Sequence, residues 1–395
     1  MTEAKPYIRG EADGLWPTDT QMLVLKAALM PAAQALPAFE TWLTRIDLEA
    51  DFDQGTFRLL PLMYENLRRL GVEHPLMGRL KGVYRLTWYK NNKLYNDLSP
   101  VVAALQSAGI PTMLLKGVPL IDGYYGNIAV RPMADIDLLV PEAFAPKALQ
   151  VMEAFAYDKL ADPTVDYLRY RHALGYWSKL HGEFDLHWHV FAERRQSEAD
   201  AVFWDNARRI SFNGIDTLAP DATRMFLHTL VHGFRWNREP PIRWIADAMM
   251  ILRKSAAELD WDAMVDYAIR HQLDYRFRLP LLFLKQHFEA AIPDSVLAAL
   301  ARKPTWVQRI EATSVLRNPT RLHNSPIGHF WLVVSDYCRF AQASKPLPFA
   351  VGFTHYLRFR WGLRGRSEMP LYVGRGILKR VKRFFGGPSQ MQGML

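Results

Sequence analysis

The stretch Arg131-Pro-Met-Ala-Asp-Ile-Asp-Leu-Leu-Val140 decides the fold prediction. Within it, Asp135 and Asp137 alternate with apolar residues, and this period of two predicts a β-strand. Side chains two apart on a strand share a face, so both carboxylates project together. Two like charges at such close range raise each other's pKa unless a cation lies between them. We therefore interpret the pair as ligands of a divalent metal, and we expect Mg²⁺ because hard oxygen ligands favour a hard cation.

A second predicted strand, at residues 182–190, carries a third carboxylate. Polar and apolar residues alternate again, and Asp185, His187 and His189 fall on the polar face. Two-metal phosphoryl transfer needs about three carboxylates around ions roughly 4 Å apart. With the pair on the first strand, Asp185 completes that number. We expect the two histidines to support the carboxylates, while metal binding and a role as base stay open for them.

The residues before the first strand predict a phosphate cradle. A short apolar strand at residues 112–115 runs into Lys116 and Gly117, and Pro119 suits the first turn of a helix at about residues 120–125. Backbone N–H groups and the positive end of that helix would face phosphate groups, and Lys116 would add a point charge. Gly117 would allow close approach of the backbone to the anion.

The order of these motifs resembles the bacterial nucleotidyltransferase family of the DNA polymerase beta-like superfamily. The resemblance runs from about residue 40 to about residue 300 and rests on Lys116-Gly117, Tyr124-Tyr125, Arg131, Asp135-x-Asp137 and Asp185-Leu-His187-Trp188. It implies an α+β fold with a small mixed β-sheet core flanked by helical regions. It also implies transfer of a nucleoside monophosphate from an NTP, with ATP favoured, to an unknown hydroxyl-bearing acceptor, with two Mg²⁺ ions and release of pyrophosphate.

The resemblance assigns a role to each residue of the predicted site. Asp135, Asp137 and Asp185 would be the catalytic, metal-holding carboxylates, and Lys116, Gly117 and Arg131 would bind the nucleotide. The usual Gly-Ser or Gly-Gly turn of the superfamily is Lys116-Gly117 here, so Lys116 would substitute for the missing hydroxyl. The gap between Gly117 and Asp135 is longer than in the minimal motif, and the loop that carries Arg131 could shape either the nucleotide side or the acceptor side.

Two alternative functions stay open at this point. A protein that keeps the fold but has lost catalysis would serve as a binding or scaffold protein, tethered to a membrane-associated biosynthetic complex. The other alternative keeps the chemistry and uses a tRNA or a protein as the acceptor.

Two residue pairs on the predicted C-terminal helices have the spacing of one helical turn. His228 and His232, at i and i+4 on a helix capped by Asp221, are interpreted as a packed or hydrogen-bonded pair rather than a zinc site. Arg243 and Asp247 have the spacing of a helical salt bridge.

Length and composition predict a globular enzyme of several parts. The chain has 395 residues, of which 49% are hydrophobic, and its one cysteine, Cys338, excludes an internal disulfide. The sequence begins without the basic and then apolar order of a signal peptide, so we expect the cytoplasm. We predict four regions: a helical N-terminal region at residues 1–95, the nucleotidyltransferase core at 96–218, a helical domain at 219–350 and a basic tail at 351–395. Within them we expect helices at about residues 19–35, 74–95 and 98–108, and a hairpin at about residues 210–218 around Asn213-Gly214.

The tail predicts a second kind of contact. Between residues 351 and 385 nine Arg or Lys stand against one acid, so this stretch carries +8 of the total net charge of +9. From Gly376 to Phe385 apolar and basic residues separate onto two helical faces, a pattern typical of a helix on anionic lipid. We expect peripheral contact with the inner face of a membrane. Docking on the protein itself, an acidic peptide, a nucleic acid or plain solvation are the alternatives.

Overall fold

Seven strands form one mixed sheet in the part of the chain that the structure describes. The structure is a computed structural model and describes residues 14–47, 52–162, 164–316, 326–341, 349–372 and 374. The strands are β1 (Met113–Leu115), β2 (Asp135–Leu139), β3 (Asp158–Lys159), β4 (Ala173–Ser178), β5 (Gly182–His187), β6 (Arg208–Phe212) and β7 (Ile215–Ala219). Their order across the sheet is β3-β4-β5-β2-β1-β7-β6. The predicted α+β class is confirmed.

The strand β2 occupies the middle of the sheet. It runs parallel to β5 on one side and antiparallel to β1 on the other. The strands predicted from alternation are therefore present, and so is the hairpin β6–β7, whose turn residues Asn213 and Gly214 both have positive φ. Two strands that the sequence did not predict, β3 and β4, extend the sheet beyond β5. Gly175 interrupts the apolar signal of β4, because glycine contributes no side chain to the pattern.

Helices precede, interrupt and follow the strands. Up to the hairpin they are α1 (Asp19–Leu29), α2 (Ala32–Leu43), α3 (Gln54–Phe57), α4 (Leu60–Arg69), α5 (Leu76–Ser107), α6 (Gly117–Leu120), α7 (Ala145–Met152), α8 (Val165–Tyr170) and α9 (Ser197–Asp205). After it come α10 (Ala222–Gly233), α11 (Arg243–Ser255), α12 (Trp261–Arg270), α13 (Asp274–Phe288), α14 (Asp294–Ala299), α15 (Trp306–Val315), α16 (Pro326–Ala341) and α17 (Phe349–Arg360). As predicted, the side chain of Asp221 caps α10.

The helix α5 corrects the prediction at its end. The sequence predicted one helix at residues 74–95 and another at 98–108, but a single helix of 32 residues runs through Pro100. Proline has no N–H and would leave the carbonyl four residues earlier, that of Asn96, without its usual donor. The hydroxyl of Ser99 donates to this oxygen at 3.3 Å and to the oxygen of Tyr95 at 2.7 Å. The predicted region boundary at residue 95 therefore falls inside a continuous helix.

A similar correction applies near the N-terminus. A single helix was predicted at residues 19–35, and the structure has α1 and α2 there, separated at Pro31. Pro31 is extended and directly precedes the first residue of α2. A proline in this position cannot continue the preceding helix but suits the start of the next one.

Two hydrophobic cores lie on the two faces of the sheet. On one face, Ile136 and Leu138 of β2 pack with the C-terminal half of α5 and with α7. On the other face, Leu115 and Leu139 pack into a large helical core. The N-terminal helices α1 and α4 contribute to this core, and so do the C-terminal helices α10 to α13. The N-terminal and C-terminal helical regions therefore share one core. Asp137, two residues before Leu139, lies on this second face, where the sheet meets the helices.

The described residues include the first half of the predicted tail, up to residue 372, and residue 374. The helices α16 and α17 pack on each other through a small cluster that includes Tyr337 and Tyr356. The stretch from Gly376 to Phe385, which the sequence interpreted as a lipid-contacting helix, lies outside the described residues. Among the helices that are described, none combines the length and the apolar character that crossing a bilayer requires.

Candidate metal and nucleotide site

A cavity of about 470 Å³ opens where the sheet meets the helical core. The strands and the turns around them contribute all six residues of the predicted site to its wall: Lys116, Gly117, Arg131, Asp135, Asp137 and Asp185. The helical side contributes residues around α3, at the end of α10 and at the start of α11. The structure thus brings together predicted site residues that lie up to 69 positions apart in the sequence, from Lys116 to Asp185.

Asp137, Asp185 and His187 form a group that can hold a metal ion. Asp137 and Asp185 are register partners on the parallel strands β2 and β5, and His187 follows on the same face of β5. One ligand atom of each lies within 4.8 Å of the others. Two carboxylates and an imidazole are a donor set that fits a divalent cation. Asp135 lines the same cavity but does not belong to this group.

Asp137 is the most strongly engaged of the three. Its Oδ1 accepts hydrogen bonds from Lys116 Nζ at 2.7 Å and from His187 Nε2 at 3.0 Å. Burial alone would raise the pKa of Asp137, but the charge of Lys116 and the hydrogen bond from His187 outweigh it and hold the pKa well below the usual value. Asp137 is therefore a carboxylate whose negative charge persists in a buried position.

Asp185 has the opposite electrostatic setting. Partial burial raises its pKa above the usual value, and the nearby carboxylates of Asp137 and Asp135 add to this effect, although His187 opposes it. One carboxylate is held firmly ionised and the other binds a proton more readily.

The backbone of Lys116 is strained where β1 ends. Lys116 has φ 50° and ψ −112°, a region that residues with a Cβ rarely adopt. Leu115 pairs with Asp137 across β1 and β2, so the turn immediately after it lies beside that carboxylate. Lys116 Nζ also donates to His232 Nε2 at 3.0 Å, and burial followed by the charge of Lys116 keeps the pKa of His232 well below its usual value. His232 is therefore a neutral acceptor.

Gly117 lies where no side chain would fit. A Cβ at this position would be 2.4 Å from Met133 Sδ and 3.5 Å from Arg131 Nη1. The predicted helix at residues 120–125 is a single α-helical turn, α6, followed by a π-helical turn at Ile121–Tyr125. A larger residue at this position would therefore have to displace the side chain of Met133.

Arg131 pairs with a residue of the helical core. Its guanidinium donates two hydrogen bonds to the carboxylate of Asp247 on α11, at 2.7 and 2.8 Å, and the hydroxyl of Tyr125 donates to the same carboxylate at 2.7 Å. The predicted pairing of Asp247 with Arg243 is wrong, because Arg243 Nη1 donates to the carbonyl of Pro132 at 2.6 Å instead. Both arginines connect the loop before β2 to α11.

This geometry agrees with a match to a known family. Residues 56–289, more than half of the chain, match the sequence model of the family described as uncharacterised nucleotidyltransferase. The chain belongs to this nucleotidyltransferase family. It is also similar to the crystal structure of an antigenic nucleotidyltransferase-like protein from Paracoccidioides brasiliensis, at 13% identity and a TM-score of 0.33, over 52% of this chain and 97% of that chain. The comparison with curated proteins gave no match.

The family resemblance read from the motifs is therefore confirmed, and with it the class of enzyme. The matched region of the nucleotidyltransferase begins in α3 and ends just after α13, so it includes the sheet and the helices on both sides of the cavity. Every residue of the predicted site lies inside it. The roles assigned to the individual residues stay predictions.

The histidines of the nucleotidyltransferase divide into those at the site and those away from it. His187 belongs to the metal-capable group, whereas His189 donates from Nδ1 to Asp200 Oδ2 at 2.7 Å, away from that group. The rings of His228 and His232 stack with centroids 5.5 Å apart, as a packed pair. Neither ring nitrogen of His228 has a hydrogen-bond partner within the described ranges, and burial lowers its pKa to about 3.

No motif in the sequence points to several residues that line the cavity or hold the loop beside it. Asn91 of α5 donates to the carbonyls of Ile128 and Arg131 and accepts from the N–H of Met133, so it fixes the loop before β2. His172 lies 5.3 Å from the ring of His187 and precedes the unpredicted strand β4. Arg58 and Arg235 line the cavity from the helical side. No local pattern marks any of these four residues, because the groups that they contact or face are distant in sequence.

Proposed function

We propose that this nucleotidyltransferase is metal-dependent and moves a nucleoside monophosphate from an NTP, with ATP favoured, to a hydroxyl group of an acceptor. Pyrophosphate is the second product. One observation carries the proposal: Asp137 and Asp185 are register partners on adjacent parallel strands, and with His187 they place three ligand atoms within 4.8 Å in a cavity. The family supports transfer of a nucleotidyl group, and this arrangement supports the dependence on a metal.

The residues at the cavity wall support separate tasks in this reaction. Asp137, Asp185 and His187 would hold a divalent cation, and Asp135, which lines the same cavity, would serve a second one; we take the ion to be Mg²⁺. Bound there, such ions neutralise phosphate charge and activate the attacking oxygen. Lys116 would exchange its contact with Asp137 for one with the phosphates, and the backbone of Gly117, on the wall of the cavity, would lie beside them.

The transfer step forms one bond at the α-phosphorus of the NTP and breaks another. The acceptor oxygen forms a bond to the α-phosphorus, and the bond between that phosphorus and the oxygen bridging to the β-phosphate breaks. Pyrophosphate leaves with the electron pair of the broken bond. The proton of the acceptor hydroxyl passes to Asp185, which lies beside Asp137 on the wall of the cavity.

The test is calorimetric titration of each non-hydrolysable NTP analogue with and without Mg²⁺, and with Mn²⁺ in its place. We expect metal-dependent binding to the wild type and none to the double variant Asp135→Ala/Asp137→Ala. Because Asp137 is buried and paired, Asp185→Asn serves as a variant of nearly equal shape, and the thermal unfolding of all variants is compared. Arg85→Ala, on the exposed surface of α5, is the matched control and should bind as the wild type does.

The outcome of the titration separates this proposal from the two alternatives. Absence of nucleotide binding to the folded wild type would overturn it. Metal-dependent binding without any release of pyrophosphate, across small-molecule, protein and RNA acceptors, would favour the binding or scaffold protein. Salt-sensitive binding of RNA, together with turnover, would favour a tRNA acceptor.

A further inference from the structure

The cations that line the cavity fall into two groups. Lys116 and Arg131 each contact a carboxylate, that of Asp137 and that of Asp247 respectively. A second group comes from the helical side: Arg58 at the end of α3, Arg235 just after α10, and Arg243 at the first position of α11. Within the described part of the chain, no carboxylate lies within 4.0 Å of any guanidinium nitrogen of this second group.

The charges of Arg58 and Arg235 each affect the pKa of another group on the cavity wall. Burial, together with the charges of Arg131 and Arg58, lowers the pKa of Arg243 to about 10, although the charge of Asp247 opposes this shift. The charge of Arg235 helps to lower the pKa of His232, which contacts Lys116. Cations that are held close together at a partly enclosed wall are costly unless an anion joins them.

The acids on the wall do not meet this need. Asp137 and Asp247 are engaged by Lys116 and Arg131, and Asp135 and Asp185 lie on the sheet with the metal-capable group. Glu239, on the loop after α10, accepts a hydrogen bond from the backbone N–H of Gln54 at 2.9 Å. The cavity therefore has a carboxylate end for metal ions and an arginine side for an anion.

We propose that Arg58, Arg235 and Arg243 form a polyphosphate subsite that binds the β- and γ-phosphates of the NTP. This inference rests on the proposed function and adds the part of the substrate that the site selects. A metal-bound triphosphate presents several anionic oxygens beyond the reacting phosphorus, and guanidinium groups match them with paired hydrogen bonds. The ligand class is then a triphosphate, and a nucleoside monophosphate would bind far more weakly.

Inorganic tripolyphosphate tests the subsite without a base or a sugar. We would titrate it, in Mg²⁺, into the wild type, Arg58→Ala, Arg235→Ala and the double variant, with the exposed Arg85→Ala as the matched control. We leave Arg243 intact because it also holds the carbonyl of Pro132. Each single variant should weaken binding roughly tenfold and the double variant roughly a hundredfold, whereas Arg85→Ala should bind as the wild type does. Arg58→Lys should restore part of the loss, since it keeps the charge but not the paired hydrogen bonds.

The same titrations with an NTP analogue and a nucleoside monophosphate separate the two proposals. The subsite predicts a loss for the triphosphate that greatly exceeds the loss for the monophosphate. Equal affinity of all variants for tripolyphosphate, or no binding of tripolyphosphate to the wild type, would overturn the subsite. If the wild type still binds the NTP analogue in a metal-dependent way, the proposed function survives that result; if it binds no phosphate compound at all, both proposals fail.

Discussion

Asp137 and Asp185 are direct neighbours across the parallel strands β2 and β5, yet their surroundings push their pKa values in opposite directions. Asp137 accepts hydrogen bonds from Lys116 and His187, which lower its pKa. At Asp185, partial burial and the carboxylates of Asp137 and Asp135 outweigh the opposing charge of His187 and raise the pKa. Only tertiary contacts produce this difference, because the two residues occupy equivalent positions on their strands.

Replacing Lys116 by glutamine should affect metal and nucleotide binding in opposite directions. Without nucleotide, the ammonium of Lys116 competes with a metal for Asp137, so the variant should bind Mn²⁺ alone several-fold more tightly. With nucleotide, the loss of a phosphate contact should weaken the Mg²⁺–NTP analogue about tenfold. Calorimetry measures both affinities, and Lys116→Arg is the charge-preserving control. A parallel loss of both affinities would show that Lys116 only supports the fold.

Gly117→Ala should weaken nucleotide binding by displacing Met133. The added methyl group would lie 2.4 Å from Met133 Sδ, so the thioether must move toward the cavity or the turn must shift. The affinity for the NTP analogue should fall about tenfold, because in the proposed site the phosphates would lie beside the backbone of this turn. Met133→Ala in the same chain should recover most of this loss. Failure of the second substitution to rescue binding would locate the damage in the backbone of the turn.

Arg131→Ala should destabilise the fold, because it leaves Asp247 buried without its cation. Breaking a buried pair in this way costs about 3 to 5 kcal/mol of unfolding free energy, measured by urea denaturation. The double variant Arg131→Met/Asp247→Leu should recover much of that loss, since it removes both charges. Unchanged stability combined with weaker nucleotide binding would instead assign Arg131 to the nucleotide, as the sequence predicted.

His228 should make the fold sensitive to acid. Burial lowers the pKa of this residue in the folded state to about 3, from its ordinary value of 6.5, so the unfolded chain binds the proton more readily. Protonation of His228 in the unfolded chain therefore lowers the free energy of unfolding as the pH drops below 6.5. Between about pH 7.5 and about pH 5.5 the wild type should lose about 1.4 kcal/mol through this residue, and His228→Phe should lose correspondingly less. The measurement is urea denaturation at both pH values.

A control for this prediction comes from the packing around the ring. His228 contacts Phe191 and Phe203, so phenylalanine suits the apolar surroundings and should not itself unfold the protein at the higher pH. His172, whose pKa burial also lowers to about 3, is unchanged in this variant and should retain its own share of the acid sensitivity. Equal losses in wild type and His228→Phe would show that the pKa of His228 is the same in the folded and the unfolded chain.

Local patterns in the sequence determined the strands that carry the site. A period of two fixed which side chains of β2 and β5 share a face, and Asn213-Gly214 fixed the hairpin, because both turn residues must adopt positive φ. The side chain of Asp221 predicted the start of α10 for a similarly local reason. The order of the motifs was enough to identify the family.

Tertiary structure decided which partner each charged group has. Arg131 and Asp247 lie 116 residues apart, and Asp247 takes Arg131 in preference to the arginine four positions away on its own helix. His187 joins Asp137 and Asp185 because the parallel register places it beside them, and Arg58 reaches the cavity only because the helical regions share a core. Helix capping, turn conformation and side-chain period act over a few residues, so they can be predicted from the sequence. The pairing of buried charges depends on how distant elements pack, and no local spacing encodes it.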